Sequence, residues 1–224
     1  MMTTRPRPDT ADSGHKPVML DEVLAALDVQ DGDRIVDGTF GGGGYTRAIL
    51  TAAKCAVFAI DRDLDAIMRA EALAAQTDRI TPLLGRFGEM DALVEATGCD
   101  SVDAVVLDIG VSSFQIDEGH RGFSFNKDGP LDMRMGAAGP TAADVVNYMD
   151  EGDLANVIFR LGEEKQARRI ARQIVQRRKE RFFDTTLDLA QTVETAVGGR
   201  KGSRIHPATL TFQAIRMYVN DELG

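Results

Sequence analysis

The sequence predicts an α/β fold with a mostly parallel sheet, into which an all-helical segment is inserted. Three observations support this prediction. Short, continuously apolar runs alternate with helix-like segments in the first half of the chain, which is typical of parallel strands buried on both faces. A glycine-rich turn follows the first of these runs, where such folds bind ligands. From Thr141 to about Val197 the pattern is helical without interruption.

Four short apolar runs are predicted to be strands, and the segments around them to be helices. The strands are expected at 34–37, 55–61, 79–84 and 102–110, and the helices at 20–29, 45–53, 63–75 and 87–97. Four strands are fewer than a doubly wound sheet usually has. Either the C-terminal strands of the sheet are missing from this chain, which leaves the fourth strand at an open edge, or something else covers that edge.

The rest of the chain divides into a long loop, a helical insertion and a final helix. The loop follows Gly110 and is rich in Gly, Asp and Phe, and loops of this length are usually functional. We expect a flexible tail at 1–14, a main domain formed by 15–135 together with 206–224, and a helical insertion at 136–205 that recognises the substrate.

Composition narrows the class of protein. The chain has 224 residues, of which 43% are hydrophobic and 27% charged, and no apolar run is long enough to cross a bilayer. We therefore expect a cytoplasmic protein without a membrane partner. Cys55 and Cys99 lack paired metal spacing, and with three histidines in all no metal site is expected. The net charge is −9, yet the segment 165–181 holds eight basic residues and one acid.

The glycine-rich turn indicates a ligand site. Asp37 ends the first strand, and five glycines, Gly38 and 41–44, precede the next helix. Glycine lets a ligand approach the main chain closely, although a merely flexible turn is the alternative. The strict G-x-G-x-x-G pattern of dinucleotide sites is absent. Asp61 ends the second strand, 24 residues after Asp37, where an acid can accept hydrogen bonds from both ribose hydroxyls.

Asp61 does not distinguish among nucleoside cofactors. It would serve NAD and S-adenosylmethionine equally well, and it could instead cap the following helix. Asp108, at the tip of the fourth strand, occupies a position that faces the ligand in nucleotide-binding folds, although it could also cap a turn.

Several longer motifs resemble one family. These are "DGTFGGGGYTR", "AIDRD", "LDIGVSSFQID", "RGFSFNKDGPLDMRM" and "HPATLTFQAIRMYVNDEL". In this order and spacing they resemble the bacterial small-subunit (16S) rRNA cytosine-N4 methyltransferase family, methyltransferase H, from about His15 to the last residue. The resemblance implies a class I (Rossmann-like) methyltransferase fold with an inserted helical domain. It also implies S-adenosylmethionine as cofactor and, as substrate, the exocyclic amine of a decoding-centre cytidine. The expected partner is small-subunit rRNA or the assembling small ribosomal subunit.

The resemblance carries a set of cofactor-binding positions to this chain. They are Gly43, Gly44, Tyr45, Asp61, Phe87, Asp108 and Gln115. Phe87 would lie against the adenine ring, although a core aromatic is an equal alternative. The chain departs from the family in two ways: Tyr45 stands where the family commonly has His, and family members continue well past Gly224 with a "SFHSLEDR"-like segment. The chain therefore resembles a member truncated at the C-terminus.

Methylation of a cytosine amine requires hydrogen-bond acceptors, because the nitrogen lone pair is delocalised into the ring. Asp108 and Asp132 are the candidate catalytic acceptors. For Asp132 a salt bridge to Arg134 is an equal alternative. Phe123 and Phe125 could stack on the substrate base, or they could form a small core of the loop, which is slightly favoured.

Basic residues of the insertion are the candidate RNA-binding groups. Arg168, Arg172 and Lys179 share a helix face by spacing, and Lys201 and Arg204 form a second cluster. The alternative is a solvated helix balanced by nearby acids. Two other functions stay open, an NAD-dependent oxidoreductase and a non-catalytic RNA-binding fragment. Self-association into a homodimer is also left open.

Overall fold

A computed structural model describes residues 17–200, 202 and 204–223 of the chain. The predicted tail at 1–14 and Lys201 lie outside the described residues. The described part contains a four-stranded parallel sheet in the order β3-β2-β1-β4, which confirms the predicted parallel α/β fold. The strands are β1 (Arg34–Asp37), β2 (Ala56–Asp61), β3 (Ile80–Leu84) and β4 (Ala104–Val106).

Helices cover both faces of this sheet. Ile35 and Val57 point to one face and pack against α1 and α2, whereas Val36 and Phe58 point to the other face and pack against α4. Because both faces are covered, neighbouring positions within these strands are apolar. The helices of this half are α1 (Leu20–Leu27), α2 (Gly44–Ala52), α3 (Leu64–Ala74), α4 (Met90–Glu95) and α5 (Ser113–Asp117), with 3₁₀ turns at Phe87–Glu89 and Gly119–Arg121.

The fourth strand is shorter than predicted. The apolar run suggested 102–110, but β4 ends at Val106, so the prediction is wrong over its ends. Because β1 already ends at Asp37, the chain beyond Val106 has no further residue of β1 to pair with. The outer edge of β4 pairs with no strand within the described residues. Leu107 and Ile109 are exposed there.

The helical half has a core of its own. In the described residues this half contains five helices: α6 (Ala142–Tyr148), α7 (Glu151–Gly162), α8 (Ala167–Arg178), α9 (Thr186–Val197) and α10 (Thr209–Asn220). Leu154, Ile170 and Leu189 are fully buried in one cluster that also includes Phe212 and Ile215 of α10. The helix α10 therefore packs with the insertion. The predicted division into 15–135 with 206–224 and 136–205 stays a prediction.

The C-terminal end of α10 connects the helices to the sheet. Asn220 is buried, and its side chain donates to the carbonyl of Met133 (2.7 Å) and accepts from the N–H of Met135 (2.8 Å). Arg62, which follows β2, donates to the main-chain carbonyl of Asn220. The long loop after Gly110 is thus held between the two halves, and it contains α5 and a 3₁₀ turn.

A candidate nucleoside-binding site at the strand tips

A cavity of about 1350 Å³ opens at the carboxyl ends of the strands. This volume exceeds the roughly 300–1,000 Å³ of typical small-molecule sites. It is the position at which open parallel sheets bind ligands. The cavity is lined by the glycine turn, the residues after β2 and β4, the 3₁₀ turn at Phe87–Glu89, and the end of α10.

The glycine turn forms one wall of the cavity. Gly41 (φ +51°) and Gly43 (φ +75°) adopt left-handed conformations that favour glycine. The turn is also closely packed, since a Cβ at Gly43 would lie 2.6 Å from the ring of Phe40. Gly44 lines the cavity beside Pro17, whereas Gly43 is not among its described lining residues. The absence of Cβ atoms therefore leaves room for the neighbouring side chains of Phe40 and Pro17, and it also exposes main chain to the cavity.

Asp61 lies opposite this turn and lines the cavity. Its Oδ2 accepts from the N–H of Gly41 at 2.8 Å, and its Oδ1 from that of Asp63 at 2.9 Å. Burial raises the pKa of Asp61, and these two main-chain donors oppose the rise. Each oxygen keeps a second lone pair for a ligand donor. The cap of α3 is Asp63, which accepts from Asp65 N–H, so Asp61 is not the helix cap.

A second carboxylate, Asp37, lies beneath the turn. It is fully buried and accepts hydrogen bonds from the Thr46 hydroxyl (2.7 Å) and the Thr39 N–H (3.3 Å). The pKa of Asp37 is raised to about 6, chiefly by burial; the nearby charge of Asp61 adds to this rise, and the hydrogen bonds from Thr46 and Thr39 oppose it. Asp37 therefore stabilises the turn from below.

Tyr45 also lines the cavity, at the start of α2. Its ring is buried, and its hydroxyl donates to the carbonyl of Val18. Burial is the main cause that raises the pKa of Tyr45, and the charges of Asp108 and Asp37 add to it. The tyrosine thereby fixes the segment before α1 against the cavity. His15 lies outside the described residues.

Phe87 and Asp108 line the cavity from the segments that follow β3 and β4. Phe87 is half-buried in the 3₁₀ turn after β3. Asp108 is exposed to the cavity, and its main-chain N–H donates to the Thr39 hydroxyl at 2.7 Å. Within residues 17–200, 202 and 204–223 its carboxylate makes no hydrogen bond, so it is available to a ligand.

Gln115 lines the cavity, but protein groups already occupy much of its amide. Its Oε1 accepts from the N–H of Ser112 (3.0 Å), and its Nε2 donates to Asp63 Oδ2 (2.8 Å). Arg121 donates to the same Asp63 oxygen and to Asp65, both at 2.8 Å. Sequence reasoning missed this buried network. The acid at the end of "DRD", Asp63, precedes a predicted helix and could have been recognised as its cap. No residue near Arg121 in the sequence indicated that Asp63 and Asp65 are its partners.

Asp132 and the loop aromatics lie elsewhere. Asp132 forms a two-bond ion pair with Arg134 (2.7 and 2.8 Å), which lowers its pKa. It is not among the described residues that line the cavity. Phe125 packs against His206 and Phe212, with ring centroids 4.6 and 4.8 Å apart, and so belongs to the helical core.

The predicted RNA-binding residues other than Lys201, which lies outside the described residues, are on the surface of the helical half. Arg168, Arg172 and Lys179 are exposed along α8 or at its end, whereas Ile170 and Ile174 of this helix are buried. Arg204 is exposed as well. These positions meet the requirement for contact with a polyanion.

Other basic residues of α8 have structural roles. Arg177 forms an ion pair with Asp188 (2.7 Å) and lies over the ring of Phe183. Arg178 donates to the carbonyls of Val146 (2.9 Å) and Met149 (2.7 Å) at the end of α6. The basic segment therefore contains partly buried arginines that support the helical core and an exposed basic face.

The fold and the cavity together define a Rossmann-like α/β protein with a large cavity at the strand tips. The described residues contain no group of three or more His, Cys, Asp or Glu side chains that could hold a metal ion. They also contain no helix long and apolar enough to span a membrane.

Comparison with known proteins identifies the family. Residues 12–224 match the MraW methylase family, and the chain belongs to that family. The chain is similar to proteins named ribosomal RNA small subunit methyltransferase H from Hyphomonas neptunium, Parvibaculum lavamentivorans and Rhodospirillum centenum. The identities are 69%, 58% and 55%, over 100%, 95% and 100% of this chain. The chain spans 65%, 63% and 68% of the lengths of these relatives.

Proposed function

We propose that this chain forms the cofactor-binding and RNA-facing part of an S-adenosylmethionine-dependent rRNA methyltransferase. The acceptor we propose is the exocyclic N4 amine of a decoding-centre cytidine in small-subunit rRNA, either free or in the assembling subunit, in the cytoplasm. Family membership and the names of the relatives support this proposal. The observation that carries it is Asp61, whose carboxylate faces a large cavity opposite a glycine turn.

The residues present fit an adenosyl cofactor. Asp61 has lone pairs to accept both ribose hydroxyls, and Phe87 offers an aromatic face for adenine. Gly44 and Tyr45, with Asp108 across the cavity, would border the methionine end. When bound, S-adenosylmethionine supplies an electrophilic methyl group on a sulfonium sulfur. Gln115 would contribute through the N–H that Asp63 does not use.

Asp108 is the proposed acceptor for the substrate amine. Its exposed carboxylate can accept a hydrogen bond from the N4 amine, and this bond strengthens as positive charge develops on nitrogen. The amine nitrogen would form a bond to the methyl carbon as the methyl–sulfur bond breaks and the demethylated thioether leaves. The amine would then have to lose one proton, and the carboxylate of Asp108 is the proposed acceptor for it. Holding the amine in line with the methyl group supplies much of the acceleration. Asp132 stays a second proposed acceptor, and it would have to leave its pair with Arg134 to act.

RNA binding is proposed for the exposed face of α8. Arg168, Arg172 and Lys179, together with Arg204 and Lys201, would contact phosphates and hold the substrate near the cavity. This contact positions the RNA without selecting the base. Selection of cytosine is assigned to the cavity itself.

Calorimetry tests the cofactor assignment. We expect S-adenosylmethionine and its demethylated product to bind this chain, and NAD not to bind. Asp61→Ala should abolish the heat of binding. Asp153→Ala is the matched control, because it removes an exposed acid of α7 that does not line this cavity. Binding of NAD in place of the sulfonium cofactor would identify an oxidoreductase-type site and contradict the proposal. RNA binding without cofactor binding would instead favour a non-catalytic RNA-binding fragment.

Mass spectrometry tests the reaction. Small-subunit rRNA from cells that lack this protein would be incubated with the chain and S-adenosylmethionine, then digested to nucleosides. We expect N4-methylcytidine, and less of it with Asp108→Asn. Methylation of another base or atom would contradict the proposed substrate. Cofactor binding with no methylated nucleoside would show that this chain alone is not catalytic.

A further inference from the structure

The pairing between β1 and β4 ends in an unusual way. Its last main-chain bond joins the N–H of Gly38 to the carbonyl of Val106 at 3.0 Å. In a regular parallel ladder the N–H of Asp108 would next donate to the carbonyl of Gly38. It donates instead to the hydroxyl of Thr39 at 2.7 Å. A side chain thus replaces the main-chain acceptor where the chain leaves the sheet and enters the cavity wall.

Thr39 is itself firmly held. Its own N–H donates to the carboxylate of Asp37 at 3.3 Å, and that carboxylate is fully buried and also bonded to the Thr46 hydroxyl. By contrast, the chain from Leu107 to Gly110 is exposed and lies beyond the strand. The hydroxyl of Thr39 therefore ties a weakly held segment to a rigid one.

We propose that Thr39 is a positioning residue whose hydroxyl fixes Asp108 at the mouth of the cavity and thereby sets the affinity for the nucleoside cofactor. The inference rests on the proposed function, because Asp108 is assigned to the cofactor there. Without the hydroxyl, the ligand would have to order the segment at 107–110 as it binds, and this ordering opposes binding.

Matched substitutions separate the hydroxyl from the size of the side chain. Thr39→Val keeps the shape and removes the acceptor, and Thr39→Ser keeps the acceptor. By calorimetry we expect Thr39→Val to weaken S-adenosylmethionine binding roughly tenfold, and Thr39→Ser to stay within about twofold of wild type. Thr39→Ala, which also lacks the hydroxyl, should behave like Thr39→Val. Thr51→Val is the control, since its hydroxyl bonds only to the α2 main chain and does not line the cavity.

A structural role alone would lower the melting temperature in step with affinity. We expect little change in melting temperature for Thr39→Val, because water can reach the exposed N–H of Asp108 in the ligand-free protein. A double-mutant cycle adds a second test: in an Asp108→Ala background, Thr39→Val should cost less binding than it does in wild type.

The outcomes distinguish this inference from the function on which it rests. If wild type does not bind S-adenosylmethionine, the proposed function fails and this inference fails with it. If wild type binds and Thr39→Val binds equally well, only the positioning role is overturned. The positioning role would also be overturned if Thr39→Ser and Thr39→Val weakened S-adenosylmethionine binding equally. It would likewise be overturned if the effects of Thr39→Val and Asp108→Ala on the binding free energy were strictly additive.

Discussion

Asp37 should make the protein less stable as the pH rises, and Asp37→Asn should remove this dependence. Its ordinary pKa of 3.8 is raised to about 6 in the folded protein, chiefly by burial. The folded state therefore binds more protons than the unfolded state between these values, so the free energy of unfolding falls as the pH rises through this window and is constant above it. A difference of about 2 pKa units corresponds to about 3 kcal/mol.

Urea unfolding of wild type and Asp37→Asn at several pH values measures this effect. From about pH 4.5 to about pH 7, wild type should lose about 2 kcal/mol relative to the variant. Asn cannot accept equally from Thr46 and from the Thr39 N–H, so the variant carries a penalty of its own, but that penalty does not depend on pH. Other carboxylates, such as Asp61, titrate in both proteins and largely cancel. A difference that stays flat across this range would refute the reasoning.

Three further predictions follow from the described contacts. Arg121→Met should lower the free energy of unfolding by about 3 kcal/mol or more in urea titrations, because it leaves the buried carboxylate of Asp63 without its cation; a loss below about 1 kcal/mol would contradict this. Replacing Arg168 and Arg172 by Ala should reduce the salt dependence of RNA binding, by about one to two in the slope of log K against log salt, and leave the melting temperature unchanged. An unchanged slope would exclude their contact with phosphates. Gly43→Ala should lower the melting temperature by several degrees in a calorimetric scan, since φ is +75° and a Cβ would collide with the neighbouring ring; a variant as stable as wild type would be inconsistent with this geometry.

The sequence predicted those parts of the fold that local patterns determine. Buried strands such as β1 and β2 are marked by continuous apolar runs, and the helices by apolar spacing, so both were found close to their bounds. The predicted end of β4 was wrong because a strand extends only as far as a neighbouring strand pairs with it, and apolar residues alone do not reveal where that pairing stops. The packing partner of α10 was not predictable for the same reason: the apolar spacing predicts a helix but not the helices against which it packs.

The candidate site was predictable where a residue occupies a strand tip. Asp61 ends β2 and Asp108 lies just beyond the end of β4, at the same edge of one parallel sheet, so both reach the same cavity. Asp63 and Arg121 were not predictable, because they meet across 58 residues of sequence. Asp132 lies near Arg134 in sequence and pairs with it. In this structure its contacts are therefore those of the salt bridge that the sequence offered as the alternative to a catalytic role.

The most direct test of the account is a crystal structure of this chain with the demethylated cofactor, S-adenosylhomocysteine. We predict that its ribose hydroxyls lie within hydrogen-bond distance of the Asp61 carboxylate, with adenine against Phe87. Density for the nucleoside elsewhere, with Asp61 contacting only protein groups, would contradict the central claim that the strand tips bind the cofactor.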